Sequence, residues 1–255
     1  MAGLVLGLMV VAGTGSLSVR LYVTGLHRRY PTFFYYLIFE TLLSSVQLVV
    51  DPRSGLYQKI WILTEPIGWV FYILLLLELY SLVLEDHRGI QTMGRWALYA
   101  ALSIALLASL LGMVPRSGPM PKSHLLPYYF VAERAIYFSL VVFLLSILFF
   151  MMRFPITLNR NTVVHYVVYS VYFLSNTVIF LVLSMVGKGV TRQINYMISV
   201  VTIGSLGAWL LLLNPAGEKH KLKLRPAWMG TPDREAELIG QLNSLNTALL
   251  RATRK

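Results

Sequence analysis

The chain has 255 residues, of which 56% are hydrophobic and 13% charged, and its formal net charge is +11. The mean hydropathy of +0.65 and a charged share about half the ~25% of soluble domains exclude an ordinary water-soluble fold. The chain has no cysteine, which excludes disulfides, thiolate metal sites and iron–sulfur clusters. The positive charge does not predict nucleic-acid binding, because the basic residues lie between apolar segments and at the carboxyl end.

Seven segments are apolar over the roughly 20 residues that a membrane-spanning helix needs. They cover residues 3–26, 31–50, 57–84, 96–114, 128–152, 162–186 and 194–213. Pro155 lies between two of them and Pro215 directly after the last, and prolines favour turns. The sequence therefore predicts an all-α membrane protein with a seven-transmembrane-helix bundle in residues 1–214. A basic juxtamembrane linker (215–230) and a short cytoplasmic amphipathic helix (231–255) are expected to follow.

The distribution of basic residues predicts the orientation of the bundle. More lysines and arginines fall on the side of the carboxyl-terminal tail than on the other side, and the amino-terminal residues carry no charged side chain. We therefore expect the amino terminus outside and the tail in the cytoplasm, in a bacterial-type inner membrane. The first segment lacks a basic n-region, so we expect a span and not a cleaved signal peptide. Tyr30 and Tyr57, near span ends, are expected at the membrane interface.

The tail contains a predicted amphipathic helix. Thr231 suits the N-cap and Pro232 the first helical position. Leucines then follow at spacings of three and four, as in a coiled-coil seam: Leu238, Leu242, Leu245 and Leu249. Because so short a helix is marginal alone in water, we expect it to pack against a second copy, another protein or the chain's own cytoplasmic face.

The linker alternates basic and apolar residues directly after the last predicted span. Its membrane-surface basic residues are Lys219, Lys221, Lys223 and Arg225. Anionic lipid attracts each such residue by about 1 kcal/mol. Two interpretations stay open: binding of anionic headgroups, or a stop-transfer anchor for the last span.

Polar side chains inside the predicted spans are the candidates for function, because they are costly in lipid and usually face a bundle interior. Toward the outer side lie Glu65, Glu133, Arg134, Gln47 and Asn195; the other intramembrane polar residues are Glu40, Glu78, His165 and Asn176. One hypothesis makes the first five the lining of an outward-facing pocket for a small ligand. The alternative is a structural lock between helices in which Arg134 pairs with Glu65 or Glu133; adjacent helical side chains point roughly 100° apart, which favours Glu65.

Catalytic and metal-binding motifs are missing from the sequence. It has no His-Glu-x-x-His, no Gly-x-Ser-x-Gly and no phosphate-binding glycine loop. Only His165 lies in a predicted span, so a bis-histidine haem site is not supported. We assign no catalytic residue, no metal and no cofactor, and we expect a non-enzymatic protein.

The overall plan resembles the seven-helix sensor modules at the amino end of some bacterial histidine kinases and diguanylate cyclases. The similarity lies in the outside amino terminus, the seven spans, the basic linker and residues 237–246, which resemble a signalling coiled coil. In those proteins a catalytic output domain follows, whereas this sequence ends at Lys255. The resemblance implies either an output protein docked on the tail or a likeness of architecture alone.

Three functions follow as expectations. The leading one is a sensor- or receptor-like membrane protein that associates with itself or with a partner protein through residues 231–255. The first alternative is a transporter or channel in which Glu40, Glu65 and Glu133 handle protons or cations, although no internal repeat supports it. The second is a structural subunit of a larger membrane complex. The lipid bilayer is a partner in each case, and nucleic acid in none.

Overall fold

The computed structural model describes residues 2–51, 54–85, 126–153, 156–186, 191–224 and 232–252, together with Thr92, Trp96, Tyr99, Ala100 and Ser103. The predicted span at 96–114 lies outside the described residues apart from the last four of these. Long helices are α1 (Ala2–Val23), α2 (Pro31–Val49), α3 (Gly55–Val83), α4 (Leu126–Arg153), α5 (Arg160–Val186), α6 (Thr191–Leu212) and α8 (Pro232–Ala252). Shorter elements are the strands β1 (Ile156–Asn159) and β2 (Lys221–Leu224) and the single turn α7 (Ala216–Lys219).

Among the described residues, 6 helices, α1 to α6, are long and apolar enough to cross a membrane. Their outer faces carry large exposed apolar side chains, among them Val49 (87% exposed), Leu63, Phe149 and Leu211. Such a surface is costly in water but suits lipid. Helices also satisfy their own backbone hydrogen bonds, which lipid requires of any spanning segment. The described part of the chain therefore has the helix lengths, composition and surface of a helical membrane protein.

The six apolar helices pack as a closed ring. Helix α1 contacts α2 and α6, α5 contacts α4 and α6, and α3 contacts α2, α4 and α5. Aromatic rings fill the centre, where the ring centroids of Phe33 and Trp209 are 4.8 Å apart and those of Tyr169 and Trp209 are 5.1 Å apart. Because lipid tails are as apolar as this core, shape complementarity and polar contacts contribute most to helix association.

One end of the bundle gathers the α1–α2 connection, the ends of α3, α4 and α6, and the start of α5; we call it the tail-side end. Here β1 pairs antiparallel with β2, with Asn159 opposite Lys221. The N–H of Arg160 donates to the carbonyl of His220 at 3.0 Å. The two-stranded ribbon thus ties the α4–α5 connection to the segment after α6.

A carboxylate of α3 caps the start of α2. Pro31, the first helical residue, has no N–H. The next two N–H groups, of Thr32 and Phe33, donate to Oε1 and Oε2 of Glu78 at 2.8 and 3.2 Å. The N–H of Phe34 donates to the carbonyl of Tyr30 and opens the regular helical pattern. Every N–H group at this helix end is therefore bonded, and the carboxylate faces the positive end of the helix dipole.

The end of α6 is capped from α1. Nη2 of Arg20, in the last turn of α1, donates to the carbonyl of Leu213 at 2.7 Å. This carbonyl is one of the acceptors that the end of a helix leaves without an intrahelical donor. A cation is also favourable at the negative end of a helix dipole, so Arg20 fixes α6 to α1.

Candidate functional site

Polar side chains from three other parts of the chain converge on Glu218 at the tail-side end. We call Arg29, Tyr30, Asn159, Asn161 and Glu218 the Glu218 junction. Arg29 and Tyr30 belong to the α1–α2 connection, Asn159 ends β1, Asn161 lies in the first turn of α5, and Glu218 lies in α7. The junction therefore gathers both connections at this end and the segment after α6 around one carboxylate.

Both oxygens of the Glu218 carboxylate are engaged. Oε1 accepts hydrogen bonds from the hydroxyl of Tyr30 at 2.5 Å and from Nδ2 of Asn161 at 2.7 Å. Oε2 accepts from Nδ2 of Asn159 at 3.3 Å and lies 3.8 Å from Nε of Arg29. Hydrogen bonds to an ionised acceptor are roughly twice as strong as those between neutral groups, so Glu218 holds its partners firmly.

A tight turn after α6 positions Glu218. The side-chain oxygen of Asn214 accepts from the N–H of Gly217 at 2.6 Å, and the Asn214 carbonyl accepts from Nδ2 of Asn161 at 2.8 Å. A Cβ atom on Gly217 would lie only 2.2 Å from Oδ1 of Asn161. Glycine is therefore required for the close approach of α7 to α5.

Arg29 extends the junction to the end of α3. Its Nη1 donates to Oε1 of Glu85 at 3.0 Å, and its Nη2 pairs with Oε2 of the same carboxylate. Hydrogen bonds from Arg29 hold the pKa of Glu85 below its ordinary value and raise the pKa of Arg29. Both side chains are partly exposed, so solvent screens the pair and its energy is small.

Tyr30 is buried, with 1% of its surface exposed. Its ring contacts that of His165 with centroids 4.4 Å apart. Burial, and then the hydrogen bond to Glu218, raise the pKa of Tyr30, so the phenol stays protonated as a donor. Tyr30 therefore does not project its hydroxyl toward lipid headgroups, because that hydroxyl has a carboxylate partner inside the protein.

A polar cavity of about 650 Å³ opens beside the junction. Its polar lining residues are Thr24, Arg29, Glu85, Thr157, Asn159, Thr162, Glu218 and Lys221. The volume lies within the roughly 300–1,000 Å³ typical of small-molecule sites. Hydroxyl groups, an amide and charges of both signs give this cavity the donors and acceptors to hold a polar molecule.

The predicted outer pocket is assembled only in part. Glu65 of α3 and Glu133 of α4 meet, and their carboxyl groups hydrogen-bond each other. Gln47 is half-buried and Asn195 is exposed, and neither cavity described in this section is lined by any of the predicted pocket residues.

The expected ion pair between Arg134 and Glu65 is wrong. Within the described ranges, the ion pairs join Arg29 to Glu85 and Glu218. Arg134 directly follows Glu133 on α4, and adjacent helical side chains point roughly 100° apart. With Glu133 turned toward Glu65, Arg134 points elsewhere.

Glu40 lines a second, much smaller cavity in the bundle core. This cavity measures about 20 Å³ and is also lined by Tyr36, Tyr72 and Tyr172. The hydroxyl of Ser44 donates to Oε1 of Glu40 at 3.3 Å, and the hydroxyls of Tyr72 and Tyr172 are 3.3 Å apart. The volume suits about one water molecule, so this space is too small for an organic ligand.

The other intramembrane polar residues have structural positions. Glu78 caps α2, as described above. His165 is buried among the rings of Tyr30, Phe33 and Tyr169, and Asn176 is buried with Nδ2 donating to the carbonyl of Tyr172 at 2.8 Å. The contacts of Glu78 and His165 join different elements, whereas the Asn176 bond lies within α5.

The leucines of α8 do not form one exposed strip. Leu242 is 2% exposed and belongs to the hydrophobic core, and Leu249 is partly buried against it. Leu245, in contrast, is 45% exposed. The side chain of Leu238 is not among those that the structure describes. Of the three partners expected for this helix, the structure shows the chain itself covering Leu242.

The basic residues after α6 lie around the ribbon. Lys219 ends α7 and Lys221 begins β2, and both are exposed. Lys223 lies in β2 opposite Thr157, and Arg225 is outside the described residues. The alternation of basic and apolar residues, interpreted above as a membrane-surface linker, is also the pattern of a strand.

None of the five residues of the Glu218 junction was among the candidates from sequence. One signal was available: in the predicted topology Tyr30, Asn161 and Glu218 all lie at span ends on the same side of the membrane. Nothing in the sequence distinguishes them from other polar residues at span ends.

Comparison with protein-family models, with curated proteins and with solved structures finds no match for this chain. Across the described ranges, no three His, Asp or Glu side chains form a group that could hold a metal ion. The geometry of the Glu218 junction and its cavity is therefore the basis for a functional proposal.

Proposed function

We propose that this chain is a non-enzymatic membrane protein of the sensor or receptor type, in which the Glu218 junction couples the helix bundle to the tail. The observation that carries the proposal is the position of Glu218. Its carboxylate is bonded to Tyr30 before α2 and to Asn161 at the start of α5, and β2 and α8 follow it in the chain. A small shift of either helix therefore changes the contacts that hold the tail, and shifts of about 1–2 Å are typical of helix-based switches.

The proposed bundle crosses the membrane seven times. Support comes from the last residues of α3 and α4, which lie at the same end of the bundle. Glu85, just after α3, pairs with Arg29, and Arg153, the last residue of α4, is followed closely by β1. Since α4 is long enough to span, it begins at the opposite end. Residues 86–125 then lead from one side to the other, and the apolar segment at 96–114 suits that crossing.

The proposed orientation has the amino terminus outside and the tail in the cytoplasm. Because the chain has no cysteine, single cysteines can report each side in intact cells treated with a membrane-impermeant maleimide. Gln58→Cys, at the start of α3, should react at once, and Lys219→Cys should react only after permeabilisation. The reverse pattern would overturn the orientation.

Coupling between bundle and tail can be measured as a distance. Spin labels on Val49→Cys, at the far end of α2, and Leu245→Cys, exposed on α8, report the placement of the tail by pulsed electron resonance in nanodiscs. Glu78→Gln disturbs the cap of α2 next to Tyr30 and should broaden the distance distribution. Thr64→Val is a control on the same helix, since its hydroxyl bonds only within α3. Equal distributions in both variants would contradict the coupling.

The Glu65–Glu133 contact favours a second candidate, proton- or cation-coupled transport. Neighbouring carboxyl groups inside a bundle are typical of proton pathways. In proteoliposomes with an internal pH dye, proton flux should be lost in Glu133→Gln and kept in Glu218→Gln. Absence of flux in the unaltered protein would exclude this candidate.

A further inference from the structure

The cavity of about 650 Å³ lies where two spanning helices end. Thr24 directly follows α1, and Glu85 follows α3 after one intervening residue. The cavity is therefore at the level where the chain leaves the apolar part of a membrane. Both a lipid headgroup and a soluble molecule reach that depth.

Charges of both signs line this cavity. Glu85 and Glu218 supply two carboxylates, and Arg29 and Lys221 supply two cations. Arg29 is already engaged by both carboxylates. Lys221 is exposed, and within the part of the chain that the structure describes its ammonium group forms no ion pair, although its charge interacts with that of Glu85. Its ammonium group is therefore available to an anionic group of a ligand.

Glu218 offers the complementary acceptor. Its Oε1 has two short hydrogen bonds, whereas Oε2 has only Asn159 at 3.3 Å and Arg29 at 3.8 Å. A carboxylate accepts at about four lone-pair positions in total, so Oε2 has capacity for another donor. The cavity thus presents one available cation and one available acceptor.

We propose that this cavity binds a zwitterion with a primary ammonium and a phosphodiester group, the chemistry of glycerophosphoethanolamine. The ammonium donates to Oε2 of Glu218, and the phosphate pairs with Lys221 and the hydroxyl of Thr157. A zwitterion fits because the four lining charges sum to zero, and a singly charged ligand would add a charge without a counterpart. This inference rests on the proposed function, since it names the class of ligand to which the junction responds.

The test uses the purified full chain in phospholipid-free detergent and titration calorimetry. The probes are dihexanoyl phosphatidylethanolamine, the corresponding choline and glycerol lipids, and free glycerophosphoethanolamine. The ethanolamine lipid should bind at least about tenfold more tightly than the other two lipids, a difference that calorimetry resolves easily. A choline group has no N–H to donate, and a glycerol group has no positive charge.

Two lysine variants separate this site from general attraction to a basic surface. Lys221→Gln should weaken binding about tenfold, whereas Lys219→Gln, an exposed neighbour that does not line the cavity, should leave it unchanged. Equal binding of all three lipids, or an equal loss in both variants, would overturn the proposal.

The free headgroup identifies the source of the ligand. If glycerophosphoethanolamine binds as tightly as the lipid, the ligand is soluble; if only the lipid binds, the ligand comes from the membrane; both results support the site. The distance measurement on the tail needs no added ligand. A failure of this site is therefore distinguishable from a failure of the proposed coupling.

Discussion

The hydroxyl of Tyr30 donates a 2.5 Å hydrogen bond to Oε1 of Glu218, which is 188 positions away in the chain. Tyr30 directly precedes α2, and Glu218 lies in the turn that precedes β2. This bond therefore fastens the beginning of the second spanning helix to the segment that leads to the tail.

Replacing Tyr30 by phenylalanine removes this donor and keeps the ring. Because the lost bond is to a charged acceptor, we expect the free energy of unfolding to fall by about 1.5–3 kcal/mol. Thermal unfolding in nanodiscs measures the change. Tyr35→Phe is the matched control, since Tyr35 is an exposed residue in the second turn of α2. Equal unfolding temperatures for the two variants would show that the Tyr30 bond contributes nothing.

Glu78→Ala should release the start of α2. It leaves the N–H groups of Thr32 and Phe33 without an acceptor, at a cost of about 1–3 kcal/mol for each buried donor. Amide hydrogen exchange at these two residues should become faster, with Glu78→Gln intermediate because its side chain keeps one acceptor oxygen. Unchanged exchange in Glu78→Ala would refute the cap.

Gly217→Ala should displace Asn161 from the junction. The added Cβ would lie 2.2 Å from Oδ1 of Asn161, which is buried and cannot swing into solvent. We expect a loss of about 1–3 kcal/mol in unfolding free energy. Gly204→Ala is the control, because nothing lies within 4 Å of its Cβ position. A stable Gly217→Ala protein would mean that α7 does not need this close approach.

The Arg29–Glu85 pair predicts a dependence of stability on pH. Since Arg29 lowers the pKa of Glu85 in the folded protein, the contribution of this pair is present above the ordinary value of 4.5. It is lost as pH falls from 4.5 through the lower folded pKa. The difference in unfolding temperature between the unaltered protein and Glu85→Gln should be small at neutral pH and should vanish in acid. A difference that grows in acid would have the wrong sign.

The tail helix should respond differently at two of its leucines. Leu242 is buried by the chain itself. Because Leu→Ala changes in cores cost about 2–5 kcal/mol, Leu242→Ala should weaken the docking of α8. The tail should then become more sensitive to limited proteolysis. Leu245→Ala, at an exposed position, should not. Equal sensitivity would indicate that α8 is held by something other than Leu242.

The spanning helices were predictable because lipid imposes a simple rule on length and composition. Helix α2 was expected at 31–50 and is found at Pro31–Val49, since Pro31 marks a first helical position. Helix α1 was expected to reach residue 26 but ends at Val23. Gly25 adopts a positive φ of 74° there, which begins a turn.

The Glu218 junction was not predictable in the same way. A charge in the middle of a span is conspicuous because it is costly, which directed attention to Glu65 and Glu133. Asn161 and Glu218 lie at span ends, where polar residues are common and carry no such signal. The β1–β2 ribbon depends likewise on pairing between segments that are distant in the chain.

The most direct measurement of the Glu218 junction is amide hydrogen exchange in nanodiscs, comparing the unaltered protein with Glu218→Ala. If one carboxylate ties both connections to the tail, exchange should become faster in β1, in β2 and at the start of α5 together. It should stay unchanged at residues 55–64, at the far end of the bundle. Faster exchange confined to α7, or none at all, would contradict the role of Glu218 as the link between bundle and tail.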